Sequence, residues 1–129
     1  RGSAFHAVSF SAALVESVRA ACSGILSVCA FVLFFYVLAR PLSALPPPLG
    51  PVLVGVTELF SLTPLLTADR FGFVLSAAAS GWGGLSVLCQ TAAVLEGSGL
   101  SPRSCVLGKA VQGLFSLLLA LLLSSYVLS

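Results

Sequence analysis

Charge is what this sequence has least of. Six Lys/Arg and four Asp/Glu make up only 8% of 129 residues, where soluble domains carry about 25%. That scarcity, beside 58% hydrophobic residues and a mean hydropathy of +1.12, excludes an ordinary soluble domain and a disordered tail. The cations are spread singly and make no basic patch, so nucleic acid is not an expected partner. The net charge of +2 says nothing about acidic partners. What is left is an integral membrane protein, with the lipid bilayer as its first partner.

Methionine is absent altogether. With Arg1-Gly2-Ser3 at the start, the chain reads as part of something longer. Residues 1–11 read as a lead-in or cloning remnant and 12–129 as one membrane domain. The single histidine, His6, is far from Cys22, Cys29, Cys89 and Cys105, and the cysteines show no CxxC spacing. Zinc and haem need clustered ligands, so no metal or cofactor is expected. Cys22 and Cys29 read as small buried hydrophobes on one helical face.

Residues 4–19 read as an amphipathic lead-in, with Phe5, Val8, Ala12, Val15 and Val18 at helical spacing. From Ala20 to Ala39 there is no charge. Twenty residues at ~1.5 Å span about 30 Å, one hydrocarbon core. Arg19, Arg40 and Tyr36 bracket it as interfacial residues. Pro41 is expected to end the helix. Pro46-Pro47-Pro48 reads as a stiff polyproline II spacer.

Pro51 to Leu66 is apolar but too short for a simple span, where roughly 20 residues are needed. Gly55, Glu58 and Pro64 interrupt it. It reads as a re-entrant or broken pair of half-helices, breaking near Ser61 to Pro64. Thr67 is the expected N-cap of the next helix, with Asp69 in its first turn. Phe71 to Leu95 is uncharged, but its middle reads Ser80-Gly81-Trp82-Gly83-Gly84. Such glycines destabilise a helix by about 1 kcal/mol each. A break there persists only where it faces protein or a polar cavity. Gly97-Ser98-Gly99 closes this element. Ser101-Pro102 starts the last helix, which runs to about Leu128.

The expected fold is an all-α membrane protein. It has spans near 12–40, 68–96 and 102–128, with a re-entrant broken hairpin near 49–66. If 51–66 is re-entrant, Arg1, Arg19, Arg103 and Lys109 share the N-terminal side, and Arg40 and Arg70 lie opposite. The positive-inside rule then puts the N-terminus in the cytoplasm.

Glu58 is the most informative side chain. A carboxylate in an apolar run costs at least ~2.5 kcal/mol at a helix centre and usually marks an ion or substrate path. The alternative is an interfacial or structural Glu58, paired with Lys109 or Arg70. Thr57 stands beside it. Ser86 and Gln90, four apart, share a helical face, and the Gln amide both donates and accepts. The helix starting near Gly83 and Gly84 exposes N–H groups that suit a carbonyl or anion. Close helix packing is the competing role for those glycines. Trp82 could stack on a ring or simply pack. Lys109 and Gln112 can face inward together, or act as a snorkelling cation and a helix-gluing amide. Enzyme readings fare badly. Gly84-Leu85-Ser86-Val87 is not a GxSxG elbow, no metal or phosphate motif exists, and no catalytic residue is expected.

Gly55-Val56-Thr57-Glu58-Leu59, then Gly81-Trp82-Gly83-Gly84-Leu85-Ser86-Val87 with Gln90-Thr91, follow Glu16-Ser17-Val18 and Phe34-Phe35-Tyr36-Val37-Leu38. In order and spacing this resembles the C-terminal half of the YlbJ-type sporulation integral membrane proteins. These carry a nucleoside-recognition, or Gate, domain shared with concentrative nucleoside transporters. The resemblance runs from about Ala12 to Ala120. It implies a multi-pass protein of the bacterial inner membrane, linked to spore cortex formation. It implies one half of an inverted repeat, completed by an N-terminal half or a second copy. It also implies a nucleoside-like solute and a coupling ion, with Thr57 and Glu58 as contact positions. The family's hairpin has a glycine soon after the Glu–Leu pair, whereas this chain runs Phe60-Ser61-Leu62-Thr63-Pro64. Two classes stay open: a solute-binding permease and a non-transporting assembly or scaffold protein.

Overall fold

The computed structural model describes residues 9–127. Phe5, His6, Val8 and the end of the last helix at Leu128 lie outside them. The described residues form six α-helices: α1 (Phe10–Ser43), α2 (Leu49–Thr57), α3 (Leu59–Leu62), α4 (Arg70–Trp82), α5 (Gly84–Leu95) and α6 (Pro102–Val127), with a 3₁₀ turn at Thr63–Leu65. Three stretches are long and apolar enough to cross a bilayer: Phe10–Ser43, Arg70–Leu95 and Pro102–Tyr126. The all-helical class and the three long apolar helices follow the sequence.

Several local expectations are corrected. From Phe10 onward the lead-in and the first span are one continuous helix. Ser9 caps it by accepting from the Ala12 N–H, and the striped residues Ala12, Val15 and Val18 are all exposed. Helix α1 also runs two residues past Pro41, to Ser43. In the last turn the missing proline N–H removes only one bond. Cys22 and Cys29 are exposed, not buried, because among the described residues that part of α1 is exposed all round; the buried residues of α1, Phe35 and Ala39, lie nearer its C-terminal end. The triple proline is a tight turn, not an extended spacer. The Pro47–Pro48 bond is cis, and the Leu49 and Gly50 N–H groups both donate back to the Pro46 carbonyl.

The break in the second segment falls at Glu58, earlier than Ser61–Pro64. Glu58 is extended (φ −155°, ψ 123°) and ends α2 while capping α3. Pro64 sits at the start of the 3₁₀ turn, where its missing donor is not needed. The N-cap of α4 is Asp69 rather than Thr67. Asp69 Oδ1 accepts from the Gly72 N–H at 2.8 Å, and Thr67 Oγ1 donates to the same oxygen at 2.7 Å. The carboxylate thus takes the cap and the threonine supports it.

The core is small. Ala39, Val54, Leu62 and Ala79 pack together, with Leu42, Leu59, Leu65, Leu66 and Leu75 around them. Helix α2 lies among α1, α4 and α5, and α6 packs chiefly along α4. In lipid such packing is held by dispersion and close approach, not by exclusion of water. Helices α4 and α6 approach each other closely at Gly81. A Cβ on Gly81 would fall 2.6 Å from Ser116 Oγ and 2.9 Å from Gly113 Cα. At the far end of α4, Arg70 Nε donates to the buried Ser124 Oγ at 2.9 Å.

Candidate functional site: two helix breaks in contact

Both interrupted elements break for a local reason, and the breaks meet. Glu58 is 2% exposed. Its Oε1 accepts from the Phe60 N–H at 3.0 Å, and its Oε2 accepts from the Ser61 N–H and from Ser61 Oγ at 2.7 Å. Capping a helix N-terminus with a carboxylate satisfies orphan donors. Neither oxygen pairs with Arg70 or Lys109. Thr57 Oγ1 donates to the Leu53 carbonyl at 2.8 Å, so its hydroxyl is turned back along α2.

The α4–α5 break is made by two successive glycines with positive φ, Gly83 at 85° and Gly84 at 82°. Side chains rarely adopt that conformation. Gly84 is also tightly enclosed: a Cβ there would lie 3.2 Å from the Thr57 carbonyl oxygen, 3.3 Å from Glu58 Cα and 3.4 Å from Glu58 N. A side chain at Gly84 would press on the Thr57–Glu58 backbone as well as strain its own.

Trp82 completes the junction. Its indole N–H donates to the Val56 carbonyl at 3.0 Å, in the last turn of α2. The bond gives Trp82 a packing and capping role, and its half-exposed side chain also lines the groove beside the junction. Just beyond the break Ser86 is 1% exposed and accepts from Gln90 Nε2 at 3.2 Å, as their shared face predicts. Thr57, Glu58, Trp82, Gly83, Gly84, Ser86 and Gln90 therefore lie on the two broken elements that meet here.

Gln112 does not join them. It pairs with Lys109, whose Nζ donates to Gln112 Oε1 at 3.2 Å, but Gln112 is exposed, so the inward-facing expectation is corrected. Its position is at the edge of the α4–α6 seam, where it lines a recess with Ser80, Gly81 and Ser116. Sequence reasoning missed Ser61. Its position three residues after Glu58 is the N3 position of a capped helix, a signal masked by the expected break at Pro64. Among the described residues no group of three or more His, Cys, Asp or Glu could hold a metal ion, and no buried side-chain polar atom lacks a partner.

A groove of about 510 Å³ flanks the junction, walled by α2, α4 and α6 and almost wholly apolar, with Gly55, Val56, Trp82 and Gly113 on its walls. No family model, curated protein or solved structure matches the chain.

Proposed function

We propose that this chain is a solute-binding half of a permease-like membrane protein, of the kind its resemblance to the YlbJ-type, Gate-domain sporulation proteins implies. The observation that supports this reading most is the contact of the Thr57–Glu58 break with Gly84. Transporter sites form where discontinuous helices meet, because unpaired backbone groups at the breaks can serve a polar solute. In this reading Pro51–Leu66 is a re-entrant hairpin and the domain is one part of an inverted repeat. An N-terminal half or a second copy supplies the opposite wall of the site. The solute is nucleoside-like, with the half-buried Gln90 offering its amide to the polar edge and the buried Ser86 holding that amide in place. A bacterial inner-membrane location and a link to spore cortex formation belong to the same proposal.

A second reading, a non-transporting assembly protein, is favoured by one observation. Both Glu58 oxygens are already occupied by donors of its own chain.

The test is binding of radiolabelled uridine and adenosine to the purified protein in proteoliposomes. Gln90→Ala and Ser86→Ala are the informative variants, since Glu58→Gln loses a cap acceptor under either reading. Saturable binding weakened at least about tenfold, roughly 1.4 kcal/mol, in Gln90→Ala supports the solute site. Binding that is absent, or indifferent to both variants, rejects it in favour of the assembly reading. Cysteines placed singly at 51 and 66, in a background with the native four replaced, test the hairpin. Labelling from opposite sides of the membrane would end the re-entrant reading.

A further inference from the structure

The strongest unassigned feature is a recess of about 160 Å³ between the end of α1 and the α3 turn, whose polar lining is Tyr36, Arg40, Ser43 and Ser61, with Val54 and Leu65 on its apolar wall. It is smaller than the roughly 300–1,000 Å³ of a drug-sized ligand site, so it suits a compact group. We infer that this recess binds the phosphate of an anionic phospholipid headgroup, phosphatidylglycerol in kind, through Arg40 and Tyr36.

Arg40 Nη1 donates to Tyr36 Oη at 3.2 Å, and its guanidinium carbon lies 5.8 Å from the Tyr36 ring centroid. This fixes the guanidinium with one of its five donors used. The Tyr36 oxygen, accepting from Arg40, keeps its own proton to donate. A planar fork beside a phenol is a donor set for a phosphate. The two serines offer the opposite polarity. Ser43 Oγ spends its proton on the Arg40 carbonyl at 2.7 Å, and Ser61 Oγ spends its proton on Glu58. Both hydroxyls present lone pairs only, which suits a headgroup that carries hydroxyl donors. Glu58, 2% exposed, stands behind Ser61 with both oxygens taken by donors of α3, and Arg40 has no acidic partner within ion-pair reach among the described residues.

Position supplies the second argument. Arg40 follows an uncharged run that ends at Ala39, at the level where a span meets headgroups. Leu33 and Val37, 64% and 67% exposed, continue down the same helix as a surface for the acyl chains. Basic pockets between membrane helices take anionic headgroups; by the charge count Arg40 faces the leaflet away from the cytoplasm, so the lipid is one of that leaflet.

The experiment is native mass spectrometry, with titration, of delipidated protein in neutral detergent. The probes are phosphatidylglycerol, phosphatidylcholine of the same chains, and inorganic phosphate. Phosphatidylglycerol should bind at least fivefold more tightly than phosphatidylcholine. Arg40→Gln should abolish that preference. Arg40→Lys should keep part of it, and Tyr36→Phe should cost about threefold. Arg103→Gln, on exposed α6, should change nothing. Tyr36→Phe keeps the packing and guards against a fold defect in the arginine variants, as does a melting temperature measured without lipid. Equal binding by Arg40→Gln and the parent overturns the site, as does an equal loss in Arg103→Gln. Displacement of the lipid by millimolar inorganic phosphate reassigns the recess to a free ion and overturns the lipid occupant.

Discussion

The indole N–H of Trp82 reaches the carbonyl of Val56 across 3.0 Å, joining the last turn of α4 to the last turn of α2. Those turns end at the two breaks, so one hydrogen bond fastens both interruptions together. The Val56 carbonyl is available because the Phe60 N–H, four residues on, is taken by Glu58. The cap on α3 and the tryptophan bond are thus two parts of one exchange of partners.

Trp82→Phe should therefore destabilise the protein by about 1 kcal/mol. That is the low end of the penalty for an unsatisfied carbonyl, since the site is only partly enclosed. Urea or SDS unfolding followed by circular dichroism measures it, because the variant removes the chain's one tryptophan. A variant as stable as the parent would deny the bond any structural weight.

The two glycines of the break should respond differently to alanine. Both carry the positive-φ cost of about 1–2 kcal/mol. At Gly83 the new methyl meets only the Val87 side chain at 3.6 Å, whereas at Gly84 it meets backbone atoms of Thr57 and Glu58 at 3.2–3.4 Å. Gly84→Ala should be the more damaging in the same unfolding assay. Equal losses would mean that the breaks do not hold each other in contact.

Gly81→Ala should push α4 from α6, since its methyl would fall within 3.0 Å of Ser116 Oγ, the Gln112 carbonyl and Gly113 Cα. Overpacking of this kind costs about 1–3 kcal/mol. Gly108→Ala on the same helix α6 meets nothing within 4 Å and should gain about 0.5–1 kcal/mol from helix propensity. Opposite signs for the two are the expected result. A neutral Gly81→Ala would refute the close crossing.

Asp69 should titrate below the ordinary aspartate value of 3.8. The Gly72 N–H is the larger cause and the Thr67 hydroxyl the next, both favouring the carboxylate. A folded pKa below the unfolded one means that the cap's contribution is complete above the unfolded value. It fades as pH falls through the folded value. The Gly72 amide proton shift, followed by NMR from pH 5 to pH 2, should report that low transition and lose it in Asp69→Asn. A transition at or above 3.8 would contradict the capping geometry.

The three long apolar helices were legible because a span needs only a run of about 20 apolar residues. Their ends agree within a few residues with the stretches expected. The Gly83–Gly84 break was legible too, since three glycines in four residues cannot support a regular helix. The Glu58 break was not placed correctly. Its cause is a side chain folding back on the donors of the next turn, a matter of χ angles rather than periodicity. Pro64 was a louder but misleading signal, because a proline at the start of a turn interrupts nothing. The exposure of Cys22 and Cys29 was hidden for a different reason. Hydrophobicity marks what avoids water, and on a helix of this kind it cannot separate a face meeting protein from a face meeting lipid. That Gly84 serves contact with Thr57 and Glu58 is a tertiary fact, seen only once α2 and α5 are side by side.

Helix α1 has a further consequence through its length alone. Its 34 residues without a break make a rod of about 51 Å at ~1.5 Å per residue, against a hydrocarbon layer of roughly 30 Å. To hide the whole rod would take an inclination beyond the ~40° upper range of membrane helices. In a bilayer the stretch with Glu16 and Arg19 must therefore stand outside as an unjointed mast. No break separates that mast from Arg40, so a tilt of its outer end is a tilt of the helix that carries Arg40.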